Sequence, residues 1–414
     1  MSPRIEEFRL FGGNPPMTTV STLYPGFDYQ DFRHRRQQQS SVFLTPEIFS
    51  WYQQMLQSYR VYFDASRASW LILGYDEVQR VMADTQTFSS QRELGPDGQN
   101  HPIDGLISLD PPRHRQVRTL ISQAFTPRRI AQMEARITSI VHTLLDQVAD
   151  QGEMDIVDDL ALPLPSMVMA DLLGCPPADG GRFQQWLAAV VGSDLALRHE
   201  AFASMHGYFQ ALIEQRQRSP HEDLVSALLQ AEEDGERLPA GDVLGTCALL
   251  LLAGNETTTS LIGHAILCFD EHPEAWQQLL AQPSLLPTAI EEVLRCRPPI
   301  HLFGRVAVRD AVVAGQQIKA GELVVPVFAA ANFDEAQFPN ASTFDIRRTP
   351  NRHLSFGHGI HFCLGAPLGR LETRIALAAL LERFPRLQRK RDVPLELKPS
   401  WLVYTIQHVP VTLG

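Results

Sequence analysis

Cysteine is scarce and scattered. The 414 residues hold five, Cys175, Cys247, Cys268, Cys296 and Cys363, with no CxxC pair. That set speaks against a disulfide framework and against a zinc-ribbon site. A basic excess is missing too: 36 Lys and Arg face 47 Asp and Glu, a net charge of −11, so a nucleic-acid surface is not expected. Linkers rich in Gly, Ser or Pro, low-complexity blocks and internal repeats are lacking, which favours one large domain over two or three. The N-terminus has no apolar run fit for a signal peptide or an anchor. The longest apolar stretch, near 247–269, carries Asn255 and Glu256 at its centre and does not read as a membrane span. The expectation is a reduced, cytoplasmic protein, with residues 1–40 an extension and 41–414 the folded domain.

What is present is mostly helix. "YRVYFD" and "SWLILG" read as a short hairpin. Residues 91–109, rich in Gly, Pro and Asp, read as a long loop, which in a compact chain is usually functional. From 111 to about 295 the apolar spacing is helical throughout. "DPPRHRQVRTLISQAF" offers Asp110 as an N-cap, and "IAQMEARITSIVHTLLDQVADQG" reads as one amphipathic helix. No proline lies between Pro239 and Pro273, so one long buried helix can fill most of that distance. Short strand patterns occupy 303–345, "GAPLGRLETRIALAALLERF" is the last clear helix, and short strands close the chain. The fold class is mainly α with small antiparallel β-sheets, chiefly in the second half.

Two stretches carry chemistry. In "LLLLAGNETTTSLIG" (249–263) an ionisable Glu256 and the hydroxyl run Thr257–Ser260 interrupt an apolar helix, where an unpartnered charge is costly. Thr is a mediocre helix former, so the stretch points to a site. In "HLSFGHGIHFCLGAPLGRLE" (353–372), Cys363 lies between glycine-bearing turns just before a helix. It could be a buried free thiol. A zinc site of His358, His361 and Cys363 lacks a fourth ligand, and a GxGxxG nucleotide loop is broken by Phe362.

The pattern F-G-x-G-x-H-x-C-x-G is complete: Phe356, Gly357, Gly359, His361, Cys363 and Gly365. It resembles the haem-binding loop of the cytochromes P-450, soluble bacterial type. The physical fit is good. Glycines let amides approach a sulfur, and the helix that follows brings its positive end to a thiolate. A thiolate axial ligand favours O–O cleavage. "AGNETT" is similar to the family's oxygen-activation segment, and "EEVLR" to its Glu-x-x-Arg pair.

The resemblance implies a single-domain fold with haem b between the long central helix and the cysteine-loop helix, Cys363 being the axial ligand. It implies propionate contacts from His114, Arg118, Arg305 and His361. It implies a structural triad of Glu292, Arg295 and Arg348, with Arg347 a second choice. Ala253 and Gly254 would let the helix pass close over the iron. Thr257 would hydrogen-bond the activated oxygen and Glu256 would relay protons. The pocket would be lined by Leu106, Ile107, Leu249, Ala253, Ile300, His301, Phe303, Leu402 and Val403, with His301 read equally well as a core histidine. The implied activity is insertion of one oxygen atom from O2 into a lipophilic small molecule: a terpenoid, steroid, fatty acid or polyketide. Electrons would come from an acidic ferredoxin or flavodoxin docking near Arg113, Arg115 and Arg352. The chain would be a monomer. Rival readings are a peroxide-driven peroxygenase, whose members lack the acid–alcohol pair that Glu256–Thr257 supplies here, and a non-catalytic haem sensor.

Overall fold

The computed structural model describes residues 46–65, 68–91, 105–191, 194–233, 235–398 and 403–414. The N-terminal extension, most of the 91–109 loop and Leu402 lie outside them. The proline-free stretch forms one 32-residue helix, Ala240–Glu271, hereafter the central helix. It starts after Pro239 and stops where Pro273 opens the next helix. Its second half is apolar on nearly every face, so it must be surrounded. The helices Pro163–Leu173, Leu195–Arg218 and Ala366–Arg383, with the π-turn Ile156–Ala161, pack on it. The main apolar core forms around these elements, and a smaller one lies under the largest sheet. No helix among the described residues is long and apolar enough to cross a membrane.

The expected hairpin is there, with Val61–Asp64 antiparallel to Ser69–Ile72. It extends into a five-stranded sheet in the order 61–64, 69–72, 323–326, 305–307, 88–89. Every pair in it is antiparallel except one: Leu323–Pro326 runs parallel to Ser69–Ile72. A parallel pair needs a long crossover, and here most of the helical half of the chain lies between its strands. A three-stranded sheet joins 388–389, 410–412 and 153–155.

Two local expectations differ. Asp110 does not cap the helix Arg113–Ala124, whose N-cap is Pro112. Its carboxylate instead accepts from the Ser90 amide at 3.0 Å and the Ser89 hydroxyl at 2.5 Å, tying the helix entry to the sheet. The 130–152 stretch does not form one helix either. Pro127–Gln132, capped by Thr126, ends at Met133, and Glu134–Asp146 starts afresh.

Candidate active site

Cys363 sits just ahead of the helix Ala366–Arg383. Its backbone amide donates to the Phe356 carbonyl at 2.8 Å, which closes the loop into a narrow turn. Gly357 and Gly359 both have positive φ, and a Cβ on Gly359 would lie 2.9 Å from the Met82 carbonyl oxygen, so glycine is required there. The Arg370 guanidinium caps the Phe356 ring at 4.3 Å and pins the loop from the other side. The thiol is accessible but walled by protein, as on the floor of a cleft. That desolvation pushes its pKa up, while the amides of Gly365 and Ala366 and the charges of Arg118 and Arg370 pull it down. Four donors or cations aimed at one sulfur suit a thiolate bound to a metal cation.

The central helix crosses this loop's helix close by: a Cβ on Gly369 would lie 3.6 Å from Thr258 Oγ1. Cys363 and Thr257 therefore flank one crossing. The hydroxyl run is accommodated without breaking the helix. Thr257 donates to the Ala253 carbonyl at 2.7 Å, Thr259 to Asn255 at 3.1 Å and Ser260 to Glu256 at 2.7 Å, each one turn back. Ala253 is exposed and Thr257 half-buried on the face toward the cleft. Gly254 departs from its expected role: it faces the helix Pro163–Leu173, where a Cβ would lie 3.1 Å from the Met169 sulfur. Its small size serves helix packing. Glu256 is buried and has a cation 3.7 Å away, Lys398 Nζ from the C-terminal segment.

His114, Arg118, Arg305 and His361 are brought together beside the cysteine loop. The His114 and His361 rings are 4.4 Å apart, edge to face. Arg118 donates to the Phe362 carbonyl at 2.8 Å, Arg305 donates to Gly304 O at 2.8 Å, and the Ser90 hydroxyl lies 2.9 Å from His361 Nε2. Burial lowers the His361 pKa to about 3, helped by the positive field of Arg305, His114 and Arg118. Burial and Arg118 lower that of His114 as well, and the buried His114 Nε2 has no hydrogen-bond partner among the described residues. This crowd of donors and cations, with an orphaned buried nitrogen among them, is the environment two carboxylates would complete. The donor set fits haem, with its thiolate ligand and two propionates.

The triad residues meet in full. Arg295 grips Glu292 through two hydrogen bonds of 2.8 and 2.9 Å, both side chains being 0% exposed. Arg348 Nε stands 3.1 Å from each Glu292 oxygen. Burial would raise the Glu292 pKa, but the Arg295 hydrogen bonds and charge, the Asp345 amide and Arg348 outweigh it, and the net shift is downward. Arg295 also donates to the carbonyls of Asn332, Ala341 and Thr343, and Asn351 to Glu292. Arg347 goes elsewhere, to Gln278 and Gln282.

Of the pocket residues, Leu106 and Leu249 are buried close together, with Gly105 against the Leu249 side chain. Ile300 and Phe303 are half-buried, and Val403 is buried. His301, open equally to a pocket contact and to a core role, packs between Tyr52, whose hydroxyl is 2.8 Å from Nδ1, and the Tyr404 ring at 4.6 Å. Aromatic neighbours from distant segments claim it. Arg113 is also engaged, in an ion pair with Asp242, so it is not the open cation expected of a docking face. Lys398, Met169, Tyr52 and Tyr404 carried no local sequence signal.

The Cytochrome P450 family model matches residues 44–191 and 178–410. "Putative cytochrome P450 YjiB" of Bacillus subtilis is 39% identical over 359 residues, covering 84% of this chain and 90% of that protein. The cyclomarin C epoxidase CymV of Salinispora arenicola is 39% identical over 354 residues, covering 82% and 90%. The crystal structure of CYP109E1 from Bacillus megaterium in complex with testosterone aligns with a TM-score of 0.83 at 38% identity, covering 89% of this chain and 99% of that one.

Proposed function

We propose, for a chain that belongs to the cytochrome P450 family and is a haem-thiolate monooxygenase, a lipophilic substrate and a separate small electron-donating protein. The observation that carries the reading is Cys363, an accessible thiol beside the crossing that also presents Ala253 and Thr257. Haem held by the Cys363 thiolate would supply the activation of dioxygen and the insertion of one oxygen atom into the substrate.

The protein residues do the rest. Cys363 provides the sulfur, and the Gly365 and Ala366 amides with Arg118 temper its charge. His114, Arg118, Arg305 and His361 hold the propionates. The Glu292–Arg295–Arg348 triad keeps the cysteine loop in place. Thr257, its hydroxyl parked on the Ala253 carbonyl, can turn its oxygen to a reacting group, and Glu256 delivers protons to it. Leu106, Ile107, Leu249, Ile300, Phe303 and Val403 offer an apolar wall, which suits a terpenoid, steroid, fatty acid or polyketide. One structural relative is in complex with testosterone, a steroid, in keeping with this range. The exposed Arg115 and Arg352 supply positive charge for an acidic ferredoxin or flavodoxin on a chain that is net negative. The protein works as a cytoplasmic monomer.

The test is optical. Reduced protein under carbon monoxide should show the red-shifted Soret band of thiolate ligation, and Cys363→Ser should lose it. Spectral titration with representatives of the four lipid classes would then rank substrates. A band typical of neutral ligation in the wild type would overturn the thiolate assignment. Turnover with hydrogen peroxide but with no electron donor would replace the monooxygenase by a peroxygenase.

A further inference from the structure

Four neighbouring buried polar atoms have no hydrogen-bond partner among the described residues: His264 Nε2, Arg297 Nη1, His301 Nε2 and the Tyr404 hydroxyl. His264 is 0% exposed and Arg297 5%. The groups adjoin. His264 Nδ1 is 2.9 Å from the Arg297 carbonyl, and the Tyr404 ring lies 5.6 Å from His264 and 4.6 Å from His301. Leaving one buried polar atom unsatisfied costs about 1–3 kcal/mol, so four together demand a ligand.

The chemistry of the set says which ligand. The His264 Nδ1–H must donate to the Arg297 carbonyl, which leaves Nε2 an acceptor. Arg297 Nη1 is a donor only, and the Tyr404 hydroxyl is both. The Arg297 charge is already answered by Glu271 at 2.5 Å. Burial lowers the pKa of His264 to about 3 and that of His301 to about 4, so both rings are neutral. Mixed donors and acceptors without net charge match water, the usual occupant of such sites, rather than an anion or a metal.

The position suggests a use. Glu256, Ser260 and His264 are spaced by four along the central helix and share one face. Ser260 donates to the Glu256 carbonyl, so its oxygen remains able to accept. The segment that holds Tyr404 lies beside that of Lys398, whose amide donates to Thr405 O at 3.1 Å and whose Nζ stands by Glu256.

We propose that His264, Arg297, His301 and Tyr404 hold a cluster of ordered water that recharges Glu256 with protons along the Glu256–Ser260–His264 face. Each event moves one proton. The Glu256 carboxyl gives its proton toward Thr257, and the carboxylate takes one from the adjoining water. That water is made good by the next, and the last by bulk solvent. His264 and Tyr404 are positioning residues in this scheme. It rests on the assignment of Glu256 as the proton relay.

The haem-loaded protein tests it twice. A high-resolution crystal structure should show water within hydrogen-bond distance of at least two of the four atoms. Tyr404→Phe removes one hydroxyl and no packing volume. With a surrogate ferredoxin, its reductase and NADPH, it should slow oxygen uptake about two- to tenfold, the worth of one lost hydrogen bond. The solvent deuterium isotope effect should rise with it. A dry site in the wild type, or uptake and isotope effect unchanged in Tyr404→Phe, would overturn the water route. Glu256→Gln run alongside separates the two levels. If it slows uptake and Tyr404→Phe does not, the water route alone falls. If Glu256→Gln changes nothing, the relay assignment itself falls.

Discussion

The triad around Glu292 is buried and the cradle around His361 partly so, and both are built from Arg and polar groups. They differ in how well they are satisfied. Glu292 receives Arg295, Arg348, Asn351 and the Asp345 amide, so its oxygens are fully engaged and its pKa is held below the ordinary carboxylate range. In the cradle two histidines and two arginines gather: Arg305, His114 and Arg118 make His361 harder to protonate, and Arg118 does the same to His114. A closed set of partners marks a part of the scaffold. An open set of one sign marks a place for something of the other sign.

That contrast breaks most visibly at the triad. Glu292→Ala would leave Arg295, 0% exposed, as an uncompensated buried charge. The expected loss is about 3–5 kcal/mol. In urea titration the midpoint should fall steeply, or soluble protein should not accumulate. A loss under about 1 kcal/mol, the value of an exposed pair, would mean the triad is not a structural clamp.

Glu372 sharpens the same point from the opposite side. It is 1% exposed in the cysteine-loop helix, its Oε2 has no hydrogen-bond partner among the described residues, and burial alone pushes its pKa up to about 8. Between about pH 4.5 and 8 the folded chain therefore holds a proton that the unfolded chain has released. Stability contributed by that proton is complete below 4.5 and drains away as pH rises through 8. Glu372→Gln should remove this slope and gain on the order of 2 kcal/mol at pH 8, while changing little at pH 5. Thermal unfolding across that range checks it. Parallel curves for the two proteins would contradict it.

These contrasts also explain what was legible in the sequence. The long central helix followed from proline positions, and the hairpin from its composition. The fold class and the family followed from a loop whose glycines and cysteine are adjacent in sequence. What stayed hidden depended on partners far along the chain. His301 read equally as a pocket contact or a core histidine, and only its distant neighbours Tyr52 and Tyr404 show what it packs against, while Gly254 looked like clearance for a cofactor until Met169 filled the space. Asp110 looked like a helix cap, but Ser89 of a neighbouring strand and Ser90 just after it took its oxygens. Local pattern states what a side chain can do. Packing decides which of its options is taken.

The cradle predicts a smaller effect than the triad. Arg118→Leu keeps the carbon stem but removes the bond to Phe362 O and one charge facing the propionates. A hydrogen bond to a charged group is worth about 1.5–3 kcal/mol, so haem should bind roughly 10- to 100-fold more weakly. Titrating haem into the apoprotein measures this directly. Unchanged affinity would remove Arg118 from the cradle.

The smallest effect lies on the surface, where satisfied and open cations stand two residues apart. Arg113 is paired with Asp242, whereas Arg115 is exposed and makes no ion pair among the described residues. An acidic donor protein should therefore feel Arg115 more. Arg115→Glu should slow reduction by a ferredoxin several-fold at low salt, and the difference should fade as salt screens it. Arg113→Glu has a second consequence, because it sets a new carboxylate beside Asp242. It should cost up to about 1 kcal/mol of stability, which Arg115→Glu should not. Stopped-flow reduction and thermal unfolding of the two variants separate docking from folding. Equal slowing by both, with equal stability, would mean the donor protein reads the summed charge of this face and not its open cation.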